Sequence, residues 1–117
     1  MMTAAALNEK LVRDLPELKP DLAEYLSRCA ADPDFEQSFF GYSFVPSLQA
    51  ALDRNLQTFS DRAFALLEDL VSEGDAEVQI LLEDEFFAYG PACEKWMRRA
   101  VPRMGPRTRA KAVGSLA

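Results

Sequence analysis

The sequence contains no histidine. That excludes Ser-His-Asp and Cys-His nucleophilic sites and most zinc sites, and it removes the usual general base near neutral pH. Catalysis would have to rest on carboxylates, lysines, tyrosines or a bound metal. Cysteine is scarce: Cys29 and Cys93 stand 64 positions apart, each on an expected helix. Two isolated thiols make no metal motif, and buried, reduced thiols are the expectation for a cytoplasmic chain. Long hydrophobic runs are missing too. The longest uncharged apolar stretch falls far short of the about 20 residues a membrane-spanning helix needs. Met1 to Leu7 includes Ala4-Ala5-Ala6, but no basic start and no long apolar run precede a cleavage site. The chain therefore reads as cytoplasmic and unprocessed, with no membrane partner.

Acidic residues are absent after Glu94, and basic ones are few before it. Residues 1–94 hold all nineteen acidic residues against six basic ones, a net −13; residues 95–117 hold seven basic residues and no acidic one, a net +7. The sum is the net −6 of the whole chain. This polarity is the strongest anomaly of the composition. The 117 residues, 49% of them apolar, suffice for one core, so residues 1–117 read as a single domain.

Apolar spacing predicts helices throughout. Thr3 is placed to cap a first helix to about Leu15, with Leu7, Leu11 and Leu15 on one stripe. Pro16 and Pro20 bracket a short break, and Pro20 opens a second helix over 21–30. Asp32-Pro33 reads as a cap-and-proline start for a short helical segment carrying Phe35, Phe39 and Phe40 and ending near Gly41. Tyr42 to Val45 reads as an aromatic loop or an irregular helix start. Pro46 opens the next helix, striped by Leu48, Ala51, Leu52, Leu56 and Phe59, with Asn55 late in it. A central hairpin then follows: Ser60–Glu73, the joint Gly74-Asp75, and Ala76–Tyr89. Gly74 suits a left-handed helix stop and Asp75 a cap for the next helix. Gly90-Pro91 separates the hairpin from a helix to about Val101, and a last basic helix spans 107–113. The expected fold class is all-α: six or seven short helices in stacked hairpins, a small HEAT-like, solenoid-like domain.

Few residues suggest chemistry. Glu83, Asp84 and Glu85 are consecutive on a helix and point about 100° apart, so they cannot face one metal together. They read as a solvated acidic face or as a surface for a partner. Glu68 and Asp69 join Glu73, Asp75, Glu77, Glu83 and Asp84 in giving the hairpin a dense negative surface, which would steer a basic partner toward it. The basic end is expected to pack beside the acidic hairpin, with contact to a partner or to nucleic acid as the other uses. Trp96 reads as core. Tyr42 and Phe44, in the least regular stretch, divide between core and exposed aromatic anchors.

The hairpin carries the pattern Phe64-x-x-Leu67-Glu68-x-Leu70-Val71, Glu73-Gly74-Asp75-x-Glu77-Val78, then Phe86-Phe87 and Tyr89, with Gly105-Pro106-Arg107-Thr108 downstream. From about Phe44 to Lys111 this resembles a group of small bacterial all-helical immunity proteins found beside polymorphic or secreted antibacterial toxins. The resemblance implies a protein that is not an enzyme, takes no cofactor or metal, does not bind nucleic acid, and neutralises a cognate protein toxin by occluding its active site or substrate entry. The partner-binding residues expected on that reading are Glu68, Asp69, Glu73, Glu77, Glu83 and Asp84 for steering and ion pairing, and Tyr42, Phe44 and Tyr89 as aromatic anchors. A helical-repeat adaptor for another cytoplasmic protein is the second reading, and a carboxylate-dependent metal enzyme the third.

Overall fold

The structure is a computed structural model that describes residues 2–89 and 94–116, and the side chains of all of these except Tyr89, Glu94, Lys95, Ser115 and Leu116. The expected helix stop at Gly90-Pro91 and the thiol of Cys93 lie outside the described residues. The chain is all-α. Its helices are α1 (Ala4–Asp14), α2 (Lys19–Ala31), α3 (Val45–Asp53), α4 (Gln57–Glu73), α5 (Ala76–Glu85), α6 (Glu94–Ala100) and α7 (Pro106–Leu116). Among the described residues there is no strand beyond one isolated bridge between Met2 and Gly74.

The first two helices form as their sequence requires. Thr3 Oγ1 accepts from the Ala6 N–H at 3.2 Å, one of the donors a helix start leaves unpaired. Leu7, Leu11 and Leu15 are buried in a row, and α1 packs against α2, α4 and α5. A single 3₁₀ turn, Pro16–Leu18, leads into α2. This second helix buries no residue fully. It is held through its own Tyr25, which meets the rings of Phe35, Phe39 and Tyr42 at 5.4–5.9 Å and donates its hydroxyl to the Gln37 carbonyl at 2.8 Å. Burial, and then its contact with Cys29, push the Tyr25 phenol up to about 12. Cys29 is half-buried and free.

Two expectations fail in the middle of the chain. No helix starts after Asp32-Pro33. Asp32 instead closes a turn: its carboxylate accepts from the Asp34 N–H at 3.1 Å and its carbonyl from Phe35 at 3.0 Å. The cap that does start a helix is Ser38, whose Oγ accepts from the Gly41 N–H at 3.1 Å. From there the backbone runs through a wide π turn, Phe40–Phe44, straight into α3, so the irregular helix start is the correct alternative for 42–45.

The helix expected to continue through Asn55 and Phe59 also ends early. Asn55 takes the left-handed conformation, φ 57°, and the Leu56 N–H reaches back to the Ala51 carbonyl at 2.8 Å while Asn55 N–H approaches Leu52 at 3.4 Å. This is the two-bond helix stop usually made by glycine, which asparagine also tolerates. Consequently α4 starts at Gln57, not at Ser60. Leu56 is left 49% exposed, and Ser60 is buried with its hydroxyl donated to the Leu56 carbonyl at 2.9 Å.

The hairpin joint is tied from three directions. Asp75 caps α5, accepting from the Val78 N–H at 3.0 Å. The Gln79 amide of α5 donates to the carbonyls of Leu70, Val71 and Gly74, covering the unpaired end of α4. Met2 bridges the joint, donating to the Glu73 carbonyl and accepting from the Asp75 N–H, both at 2.8 Å. Gly74 is not left-handed as expected; φ −66° and ψ 142° are extended. Glycine is needed there for space, because a Cβ would stand 2.5 Å from Val78 Cγ1 and 2.6 Å from the Leu70 carbonyl oxygen. Gly74→Ala is therefore expected to cost about 2 kcal/mol of stability as a tight contact with rigid backbone. Denaturant unfolding measures it, and an unchanged midpoint would show that the joint has room.

Phe40 and Phe44 stack at 4.9 Å, Phe86 meets Phe40 at 6.5 Å edge-on, and Phe87 and Trp96 close on Phe86 at 5.1 and 5.7 Å. These rings join the α3, α5 and α6 regions into one core with the leucines of α1 and α4. Met104 and Ala112 bring the C-terminal segment onto the same core.

Candidate protein-binding surface

The expected binding residues divide once they are placed. Glu68 is spent inside the molecule. It lies mid-way along α4, and its carboxylate accepts from the N–H groups of Arg107 and Thr108, at 3.1 and 3.0 Å, and from the Thr108 hydroxyl at 2.9 Å. It thus caps α7 from a distant helix, at the positive end of that helix's dipole. Burial pushes the Glu68 carboxyl up, and these three hydrogen bonds outweigh it and hold the group below its ordinary 4.5. Gly105 makes the approach possible, since a Cβ there would sit 2.6 Å from Glu68 Oε1.

Asp69 and Glu83 are also partnered. Asp69 stands 3.4 Å from Lys10 Nζ, which itself bonds Asp14 at 2.8 Å. Burial works against the Lys10 charge, and the two carboxylates overcome it and raise the group above 10.5. Glu83 faces Lys111 at 3.7 Å. Three further basic residues of the C-terminal segment are also bonded within the chain. Arg99 pairs with Asp53 at 2.7 Å, Arg103 with Asp61 at 2.8 Å, and Arg109 donates to the carbonyls of Val101, Pro102 and Met104. The positive end of the sequence therefore lies against the first part of the chain and cancels much of its charge there.

The aromatic anchors separate as well. Phe44 is 0% exposed, which corrects the expectation of an exposed anchor: the π turn rotates it inward onto Phe40. Tyr42 is half-buried and donates its hydroxyl to Glu24 at 3.0 Å, and that bond, followed by burial, raises the phenol. The side chain of Tyr89 lies outside the described residues. Trp96 is buried core, as its spacing predicts.

Glu73, Glu77 and Asp84 are exposed and, among the described residues, have no cationic partner. Glu77 and Asp84 share a face of α5 with Ile80 and Leu81, and the 32–38 segment brings Glu36 and Ser38 against that face. Together they line a shallow cleft of about 250 Å³. Glu85 forms one wall, its carboxylate holding both the Ser38 N–H, at 3.2 Å, and the Ser38 hydroxyl. Ile80 is 61% exposed at the cleft mouth. Its place between Glu77 and Asp84 is legible as three- and four-residue spacing. Glu36 and Ser38 carry no such signal, because only the tertiary fold brings them there. Among the described residues no group of three or more Asp, Glu or Cys is arranged to hold a metal ion, and no helix is long and apolar enough to cross a membrane.

Fold and surface together define an all-α helix-hairpin domain whose positive charge is largely consumed internally and whose α5 face keeps its negative charge. Comparisons with protein-family models, with curated proteins and with solved structures return no match to this chain.

Proposed function

We propose that the protein is a non-enzymatic immunity protein that binds a cognate antibacterial protein toxin in the cytoplasm and occludes its active site or substrate entry. The observation that carries this reading is the set of hairpin carboxylates with no cationic partner among the described residues, Glu77 and Asp84 on one face of α5 and Glu73 at the end of α4. Six other acidic residues, Asp14, Glu17, Asp53, Asp61, Asp69 and Glu83, are paired with Lys10, Arg62, Arg99, Arg103 and Lys111. Unpaired like charges gathered on one face oppose folding slightly and accelerate encounter with a basic protein. The hairpin pattern that resembles immunity proteins lies on the same two helices. Inhibition by covering a site requires no catalytic group on this chain, in keeping with a sequence without histidine.

The test is co-expression with the toxin encoded beside the gene. Cells making both proteins are expected to grow, and cells making the toxin alone to die. Equal killing with and without this protein would sink the reading.

A further inference from the structure

We infer that the α5 cleft is the docking place for a basic segment of the partner protein, one that sets an arginine or lysine beside an apolar residue. This rests on the binding role proposed above and names the chemistry the face would recognise. The cleft has an apolar floor and mouth, Leu81 and the exposed Ile80, and a rim of Glu36, Glu77 and Asp84. An exposed isoleucine is unremarkable alone. Ringed by carboxylates that have no cation among the described residues, it marks a surface complementary to a side chain that is apolar along its stem and positive at its tip. Arginine and lysine have that construction: the methylenes lie on apolar surface while the head reaches outward to the acidic rim. The volume of about 250 Å³ suits one or two side chains and not a folded ligand. A divalent cation is the competing occupant, and it fits poorly. Among the described residues no group of three or more carboxylates or thiols is arranged to hold a metal ion.

Among the described residues no lysine or arginine is paired with Glu36, Glu77 or Asp84. Lys111 stands at Glu83, one residue before Asp84 and therefore turned by about 100° around the helix. Arg99, Arg103 and Arg109 of the basic segment are already bonded within the chain, so these three have less to offer the cleft of a second copy.

The experiment uses the full-length protein and a fluorescein-labelled peptide with an Arg-Leu-Arg core in a Gly-Ser background, with binding read by fluorescence anisotropy at low and at physiological salt. Glu77→Gln combined with Asp84→Asn is expected to weaken binding about tenfold, and Ile80→Ser by a similar factor. All three positions are solvent-facing, so circular dichroism and the thermal midpoint should stay within the small range typical of surface changes. Glu9→Gln combined with Asp53→Asn removes the same charge outside the cleft and is expected to leave the affinity within about twofold at physiological salt, where distant charges are screened. Equal weakening by that control would overturn the proposal, because attraction would then be a property of net charge alone. So would an Ile80→Ser protein that binds like wild type. The two readings also fail separately: a toxin neutralised equally well by wild type and by the cleft variants would overturn the cleft as docking place and leave the immunity role standing.

Discussion

Glu68→Ala is expected to lower stability by about 2 kcal/mol, a large effect for a partly exposed polar side chain. The carboxylate receives two backbone N–H groups and the Thr108 hydroxyl, and Thr108 is fully buried. Alanine leaves all three donors without that acceptor, and a buried donor left unpaired costs more than the net worth of the bond it made. For a chain of this length the thermal midpoint should fall by roughly 8 °C. Glu68→Gln keeps a carbonyl oxygen where Oε1 stands and should lose about half as much. The loss is local first: amide exchange at Arg107 and Thr108 should accelerate before the rest of the domain responds. The pH dependence has a fixed sign. The folded protein holds the Glu68 carboxyl below the 4.5 of the unfolded chain, so its contribution is complete above that value and fades as pH falls through it and below. Wild type should therefore lose more stability than Glu68→Ala between neutral pH and acid. Parallel curves for the two proteins would show that Glu68 is not a cap.

What could be read along the chain was local. Thr3, Pro20 and Asp75 act where they stand, through bonds to residues within three or four positions or through a fixed φ, and each does what its sequence neighbourhood predicts. Leucine spacing on α1 similarly identified the buried face, because a helix turns its own period into a stripe. The misplaced helix boundaries share another cause. Asn55 stops a helix with a conformation more common for glycine, and Asp32 closes a turn with bonds that also suit a helix cap. In both cases one side chain has two local solutions of similar energy, and packing decides: Leu48 and Ala51 must face the core before the chain turns, and Phe39 and Phe40 must reach Phe86.

The acidic surface was legible as a quantity and not as a map. Net charge and the α4–α5 period located carboxylates on two helices, but their fates depend on partners far away in sequence. Glu68 meets residues about forty positions later, Asp69 meets one 59 positions earlier, and Glu85 meets Ser38 across 47. No periodicity within a helix reports such distances. The separation into structural carboxylates and uncompensated ones therefore emerges only with the tertiary fold. Within the hairpin it leaves Glu73, Glu77 and Asp84 exposed without a cation among the described residues, and it brings Glu36 beside the last two.

Phe44→Ala should have the largest single effect, about 4 kcal/mol of stability and roughly 15 °C in the thermal midpoint. Phe44 is wholly buried, stacked on Phe40 with their planes 18° apart, and Phe40 in turn meets Phe86. Removing the ring deletes apolar area and leaves a cavity beneath the π turn, which cannot close without moving the start of α3. Phe44→Leu keeps much of the volume and should cost about 1.5 kcal/mol. An exposed anchor would behave in the opposite way, since alanine at a surface position away from special features changes stability by about 0.5 kcal/mol or less while weakening partner binding. Unfolding by denaturant separates the cases directly. Partner affinity measured well below the midpoint supplies the second axis: for a core residue, the folded fraction of Phe44→Leu should bind as wild type does. A Phe44→Ala protein as stable as wild type but unable to bind would return Phe44 to the surface and require a different path for residues 40–45.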